Sequence, residues 1–520
     1  MTAQCSLTVR LPDRADEVVE TEMTIVGGGI CGILAAKMCG DRQWPYVLVE
    51  RSEELGGAYE PNYRWDKKYR LNQDELTKGS GAATQQTLKR FAYDHCVDKF
   101  TRFSTEVLTV RHRPDGLFLT ICKNLKTGKI THIVSQFMMI SPGILTTQVS
   151  AAERGVKDVD KFKNTMCYAG KHNGVDSAVG NTDLTGKNVV IMGTGSFALE
   201  ALEAAGRNNA KHITLVSRPR KRWICPFSRQ YTVTAMCFAP FLPWNLKIKF
   251  VHWYLRRKYY NPVGLKHMPP TGELYEQDWS GQCNDGLFRL AAEGRLDVLV
   301  GQVDRLEAKD VVVKTSDNSE GVKVPADMFV VASGCHYNLN PPFLHELGIG
   351  FGDIHNYCFM GRNPRIGTAS DFVFAFVPAG PISQLEMYFH AVEQIKLGRE
   401  REVFNAMYPT PLGATGKTNH TGGRMAGLHT FFASRNWLSR TNIASELRTA
   451  AYISVMEIGQ SLPMRMALRV GAYVAEWHRF FVCVRRSARE LWNFPIWGKG
   501  VKDHYHPTAP LLVGSTRKNE

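Results

Sequence analysis

The chain of 520 residues is 44% apolar and 22% charged, a globular balance that excludes wholesale disorder, and its length predicts two or three structural units. Its twelve cysteines include no CxxC spacing, which excludes a zinc ribbon and a dithiol redox pair, and they are too sparse for a disulfide scaffold. The formal charge of +15 is local: Arg218–Pro270 holds eleven Lys/Arg and no Asp/Glu, and Pro411–Glu520 holds fifteen against six, so the remainder is net acidic.

The first twenty residues carry no apolar run behind a basic start, so a reducing, cytoplasmic setting is expected. Uncharged runs near 130–152 and 230–246 are broken by Pro142 or by Pro240 and Pro243, and none reads as a membrane span. Met23–Gly32, MTIVGGGICG, predicts a strand entering a glycine turn. A helical pattern through Ala35, Ala36 and Met38 and a strand over Tyr46–Glu50 complete a βαβ unit. Gly27, Gly29 and Gly32 form GxGxxG: one glycine for the tight turn, one for approach of backbone amides to a pyrophosphate, one for helix–strand packing. Glu50, at the end of the second strand, is placed to accept ribose hydroxyls of an adenine dinucleotide.

Strand patterns fill Phe103–Gly143. A second unit begins at Asn188–Ala198, NVVIMGTGSFA, where Gly193, Gly195 and Ala198 give GxGxxA. Its helix runs through Leu199 and Leu202, and its second strand, His212–Ser217, ends in Ser217-Arg218 with no acid. A guanidinium there suits a 2′-phosphate, so this unit is expected to prefer NADPH over NADH. Further strands are expected at Leu296–Val303 and Val311–Thr315, and Asp327–Gly334 is expected to return to the first domain. Asp285 is expected to cap a helix, Glu386 to start one, and Cys31 to be a small packed residue.

Two basic, aromatic segments stand out. Met236–Tyr260 has eight aromatic and five Lys/Arg residues in 25. In Met464–Trp492, Val470, Tyr473, Val474, Trp477, Phe480, Phe481 and Val484 recur at spacings of three and four, with arginines largely elsewhere on the wheel. Each suits either the headgroup layer of an anionic membrane or a helix packed on the core with a solvated basic face. No nucleic-acid-binding signature accompanies the charge, so nucleic acid is not an expected partner.

Over roughly Met23–Gly398 the chain resembles the flavin-containing monooxygenase family, which includes N- and S-oxygenating and Baeyer–Villiger enzymes. The resemblance is carried by GGGICG at 27–32, Glu50-Arg51, Gly56-Gly57-Ala58-Tyr59, GTGSFA at 193–198, SRP at 217–219, and Ala332-Ser333-Gly334. It implies FAD held in the first unit by Gly27, Gly29, Gly32, Glu50, Arg51, Gly56, Gly57 and Tyr59. It implies NADPH held in the second by Gly193, Gly195, Ser196, Ala198, Ser217 and Arg218, with Gly334 also at a cofactor. It also implies that hydride passes from NADPH to FAD and that the reduced flavin adds O₂ as a flavin hydroperoxide that oxygenates a small or lipophilic organic substrate. The cofactor supplies the oxygen chemistry, so neither a protein nucleophile nor a metal is needed.

The chain departs from the family pattern in having Tyr59 for tryptophan and a shortened fingerprint, Tyr168-Ala169-Gly170-Lys171-His172. It also has no threonine in Ser141-Pro142-Gly143 or Ala332-Ser333-Gly334. Tyr69-Arg70-Leu71-Asn72 stands where Baeyer–Villiger enzymes carry YPG, and the resemblance gives Asn72 the catalytic place near the flavin's oxygen-reactive edge. The expected fold is α/β: two Rossmann-like dinucleotide-binding domains, the NADPH domain inserted in the FAD domain, plus a mainly helical C-terminal extension. The expected boundaries are 1–165 and 326–400 for FAD, 166–325 for NADPH with an insertion at 225–275, and 401–520 for the extension. Two other readings stay open: an FAD-dependent NADPH oxidase or dehydrogenase that inserts no oxygen, and a membrane-bound flavoprotein that binds or senses.

Overall fold

Buried apolar strands joined by helices dictate the architecture. The computed structural model describes residues 15–57, 81–143, 145–169, 179, 182–218, 224–226, 232, 244–265, 282–337, 341–350, 353–356, 358–369, 380–407, 452, 455–471, 481, 484–485 and 487–488. Strand β1 (Glu17–Val26) alternates at the surface and then buries Met23–Val26 completely. Helix α1 (Ile30–Asp41) lays Ile30, Ile33, Leu34 and Ala35 on the sheet, and β2 (Tyr46–Val49) is buried at all four positions. Continuous apolar runs are what a parallel sheet covered on both faces requires, and β1 and β2 pair in parallel.

After α2 (Gly81–Asp94) and β3 (Thr101–Arg102), a hairpin of β4 (Thr105–His112) and β5 (Phe118–Asn124) leads antiparallel into β6 (Ile130–Ile140). β6 then lies parallel to β1 from Glu17↔Thr131 to Val26↔Ile140. The chain leaves this sheet through β7 (Leu145–Gln148).

A second sheet follows. It comprises β8 (Thr165–Tyr168), β9 (Asn188–Met192), and, after α3 (Ser196–Arg207), β10 (His212–Ser217). Next come the small strand β11 (Ile224–Cys225), α4 (Trp244–Leu255), β12 (Gln282–Cys283) and α5 (Asp285–Ala292). β13 (Leu296–Leu306), β14 (Asp310–Thr315), β15 (Asn318–Pro325) and β16 (Met328–Val331) complete the sheet, in the order β15-β14-β13-β10-β9-β16-β8. β10, β9 and β16 form a parallel centre, a doubly wound pattern.

The return path is β17 (Cys335–Tyr337), followed by β18 (Ile354–His355), β19 (Phe359–Met360) and β20 (Ile366–Thr368). The first sheet therefore runs β18-β19-β20-β6-β1-β2-β3, with β5 also on β6 and β4 on β5. β17 pairs antiparallel with β7, so the outgoing and returning passages form one two-stranded ribbon. Helix α6 (Gly380–Lys396) covers the first sheet: the Tyr388 hydroxyl lies 2.8 Å from the Met138 carbonyl and 2.6 Å from that of Arg365. Helix α7 (Glu400–Met407) adds Val403 and Met407 to the same core, as do Val455 and Ile458 from farther along the chain.

Three expectations are corrected. Asp327–Gly334 does not return to the first domain: β16 pairs with β8 and β9 in the second sheet, and the return comes only through β17–β20. The cap of α5 is Asn284, whose side chain accepts from the Leu287 amide at 2.8 Å, and Asp285 is the first helical residue. Glu386 lies in the interior of α6 and accepts from the Tyr452 hydroxyl at 3.2 Å. Cys31 is a small buried residue, as expected. Among the described residues, no helix is long and apolar enough to cross a membrane.

Candidate functional site

Both glycine turns have the same construction. In the first, β1 passes into Gly27, whose φ of +99° only glycine adopts freely, and the Gly27 amide donates to the Val49 carbonyl at 2.9 Å. Gly29 is the cap of α1 in an extended conformation, with no side-chain cap. The first amides of α1 are thus left to a ligand or water at the positive end of the helix dipole. A Cβ on Gly32 would collide with the Gly27 carbonyl, so this glycine is what lets helix and turn touch.

Glu50 is buried at the tip of β2. One carboxylate oxygen accepts from the Gly28 amide at 2.5 Å and the other from the Ser52 amide at 2.7 Å. Each oxygen retains a second lone pair for a hydroxyl. Gly56 and Gly57 close over the turn: the Gly56 amide donates to the Gly28 carbonyl at 2.9 Å, and a Cβ on Gly57 would stand 2.9 Å from the Gly29 Cα. Arg51 points outward, three-quarters exposed, with Glu106 3.8 Å away. Tyr59 and Asn72 lie outside the described residues.

In the second turn Gly193 has φ +121°, and its amide donates to the Val216 carbonyl at 3.0 Å. Gly195 caps α3 in the same extended, uncapped way, and a Cβ there would meet nothing within 4 Å. Ser196 is the first residue of α3. Ala198 is buried under the turn, the counterpart of Gly32. Ser217 is fully buried, its hydroxyl turned to the Arg218 carbonyl at 3.2 Å, whereas Arg218 is exposed at the strand end. The two strand ends therefore differ in kind: an anchored carboxylate in one unit, an exposed arginine in the other.

The fold thus gathers Gly27, Gly29, Gly32, Glu50, Gly56 and Gly57 at one turn and Gly193, Gly195, Ser196, Ala198 and Arg218 at the other. Gly334, at φ +93°, lies in the passage between the sheets, where its carbonyl accepts from the Val149 amide at 3.1 Å. Sequence reasoning missed three neighbours. Leu55 packs on Gly28, and the buried Ser141 hydroxyl stands beside the Gly27 turn without a hydrogen-bond partner. Arg154 donates to the Ser333 carbonyl at 2.8 Å across the passage. Only Ser141 had a signal, the Ser-Pro-Gly at the end of β6. Burial pushes the Cys167 thiol up to about 11 and that of Cys122 up to about 12.

The turns fit an adenine dinucleotide each. Both have an uncapped helix N-terminus, the second with open space at Gly195, and the first adds a buried acid and an unsatisfied hydroxyl. No family model matches the chain. It is 21% identical over 359 residues to the FAD-containing monooxygenase EthA of Mycobacterium tuberculosis, covering 61% of this chain and 70% of the relative. The probable FAD-binding monooxygenase AlmA of Acinetobacter baylyi is 21% identical over 354 residues, 60% and 68% of the two chains. Among solved structures, an oxidised steroid monooxygenase bound to NADP superposes with a TM-score of 0.55 at 14% identity, covering 73% of this chain and 86% of that one.

Proposed function

We propose that this chain, which belongs to the class B flavin-dependent monooxygenases, oxygenates a small or lipophilic organic molecule with O₂ and NADPH. The observation that carries the reading is the duplicated glycine turn with opposite chemistry at its two strand ends, Glu50 in one and Arg218 in the other. In this reading the sheet of β1, β2 and β6 with its return strands holds FAD, and the sheet of β9, β10 and β16 holds NADPH. Glu400–Met407, Val455 and Ile458 extend the first core, and residues 462–471 form a basic helix. FAD, when bound, would supply the redox chemistry between NADPH and O₂.

The protein's own part is to bind, orient and exclude water. Gly27 and Gly28 shape the turn, and Gly29 with the first turn of α1 presents backbone amides and the helix dipole to a pyrophosphate. Glu50 receives the ribose hydroxyls while its other lone pairs keep the turn in shape, and Gly56-Gly57 leave room for the cofactor by having no side chains. Arg51 and Tyr59 are assigned to the same cofactor, and Gly334 to the passage that touches both. In the second unit Gly193 and Gly195 receive the other pyrophosphate over α3, with Ser196 and Ala198 completing the turn. Arg218 meets the 2′-phosphate, and Ser217 holds the strand end from inside. Asn72 is assigned to the reactive edge of the flavin. A membrane surface, expected from the basic aromatic segments, belongs to this reading as the place from which a lipophilic substrate is drawn.

Anaerobic titration tests the cofactor pairing. The purified holoprotein should carry one FAD, and one equivalent of NADPH should bleach it, with NADH far slower. A protein that binds no flavin, or reduces it equally fast with both nucleotides, would contradict the assignment.

A further inference from the structure

We propose that the outward face of α4 and the helical segment 462–471 are each a docking surface for an anionic lipid bilayer. This deepens the membrane part of the functional reading and leaves the oxygenation chemistry to its own test.

Helix α4 has two faces with different fates. Val251, Tyr254 and Leu255, with Tyr259 and Tyr260 just beyond, are buried in the core of the second unit. The Tyr260 hydroxyl fixes them there, accepting from the Ile224 amide at 2.9 Å and donating to the Ile224 carbonyl at 2.8 Å. On the opposite face Leu246, Phe250 and Trp253, at spacings of four and three, are each 48–53% exposed. Phe250 and Trp253 stack with ring centroids 5.5 Å apart, and the Arg257 guanidinium sits 6.0 Å from the Trp253 ring. Lys249 and Arg256 are exposed beside them.

Residues 462–471 are helical and show Leu462, Met466 and Val470 at successive spacings of four, each 54–73% exposed. Arg465 and Arg469 flank them; Arg469 is held by Glu457 at 2.5 and 2.8 Å. Farther on, Phe481 and Val484 are exposed as well. Elsewhere the Ser487 hydroxyl donates to that of Thr232 at 3.1 Å in a buried contact.

Charge decides the occupant. Neither 244–265 nor 462–471 contains an aspartate or glutamate. A second copy pairing face to face would press Lys249, Arg256 and Arg257 against the same cations in a drying interface. Anionic headgroups satisfy these cations while the acyl boundary receives Leu246, Phe250, Trp253, Leu462 and Met466. The aromatic and cationic mixture fits that layer, and a helix buried on one face lies along a membrane without spanning it.

The test uses the full-length, FAD-loaded protein and sedimentation with vesicles of phosphatidylcholine, with or without about one-third phosphatidylserine. The wild type should sediment with the anionic vesicles, less so as salt rises. The pairs Phe250→Asp/Trp253→Asp and Met466→Asp/Val470→Asp should each weaken binding about tenfold or more at unchanged flavin content and NADPH oxidation. Phe250→Ser/Trp253→Ser provides a milder variant of the first pair. Lys249→Glu/Arg257→Glu should remove the preference for anionic vesicles. Wild-type protein that stays in the supernatant, or variants that bind as well as wild type, would overturn the proposal. So would a dimer that dissociates in these same variants without vesicle binding. None of these outcomes touches the cofactor titration, so the two readings fail separately.

Discussion

A side chain on Gly27 would run into the Ser141 carbonyl and stand 2.8 Å from the Pro142 Cα, and one on Gly193 would run into the Ala332 carbonyl in the same way. Each nucleotide turn is closed by the end of the neighbouring parallel strand, β6 in one unit and β16 in the other. The Ser141 amide donates to Val26 at 2.8 Å, and the Ala332 amide donates to Met192 at 3.0 Å. The two units thus repeat down to the contact that leaves no room for a Cβ. Gly27→Ala should lower FAD affinity about tenfold or more, because positive φ and the collision both penalise it. Gly193→Ala should leave flavin content intact and raise KM for NADPH by a similar factor. Equilibrium dialysis and steady-state kinetics on the two variants would separate these effects; loss of flavin in Gly193→Ala would contradict the division.

Glu50 shapes its turn through both carboxylate oxygens, and in the proposed reading it also meets the ligand. Glu50→Gln keeps the volume but turns one of the two acceptor oxygens into a donor NH2, which then faces either the Gly28 or the Ser52 amide while the remaining oxygen accepts from the other. FAD affinity should fall about tenfold, by fluorescence titration, with little change in KM for NADPH.

Arg218→Ala should raise KM for NADPH about tenfold or more and leave that for NADH nearly unchanged, because only NADPH carries the 2′-phosphate. Equal responses from both nucleotides would remove Arg218 from the site.

Arg365 grips Glu400 with two bonds of 2.7 and 2.9 Å at the start of α7, and the guanidinium holds the Glu400 carboxyl below its ordinary range. A depressed carboxyl contributes stability that is complete above the unfolded pKa of about 4.3 and is lost as pH falls through the folded value. Glu400→Gln should therefore lower Tm by about 1–3 °C at neutral pH. The gap should close below about pH 4, which thermal denaturation across pH would show.

Much of this fold was legible because local pattern and long-range packing agree. His212–Ser217 was read to the residue, and both GxGxx turns sit where strand gives way to helix. What escaped depended on partners distant in sequence. The apolar run at Met328–Val331 announces a buried parallel strand, but nothing in it says which of two sheets it joins. Asn284 and Asp285 are both good caps, and only the Leu287 amide distinguishes them. That Glu50 and Arg218 stand at the ends of the second strands was legible from their distance after a glycine turn. Leu55 and Arg154 were not, since their roles arise from chain segments folding back over the turn and the passage.

Oxygen-isotope tracing tests the central claim most directly. The NADPH-reduced holoprotein would be given ¹⁸O₂ with a panel comprising a cyclic ketone, a long-chain methyl ketone and an aryl thioether. The account predicts one ¹⁸O atom in a product for each NADPH consumed in a coupled turnover, with the other in water. If every panel member stays unlabelled and all the label appears in hydrogen peroxide, the chain is an oxidase on this scaffold and the monooxygenase account is contradicted.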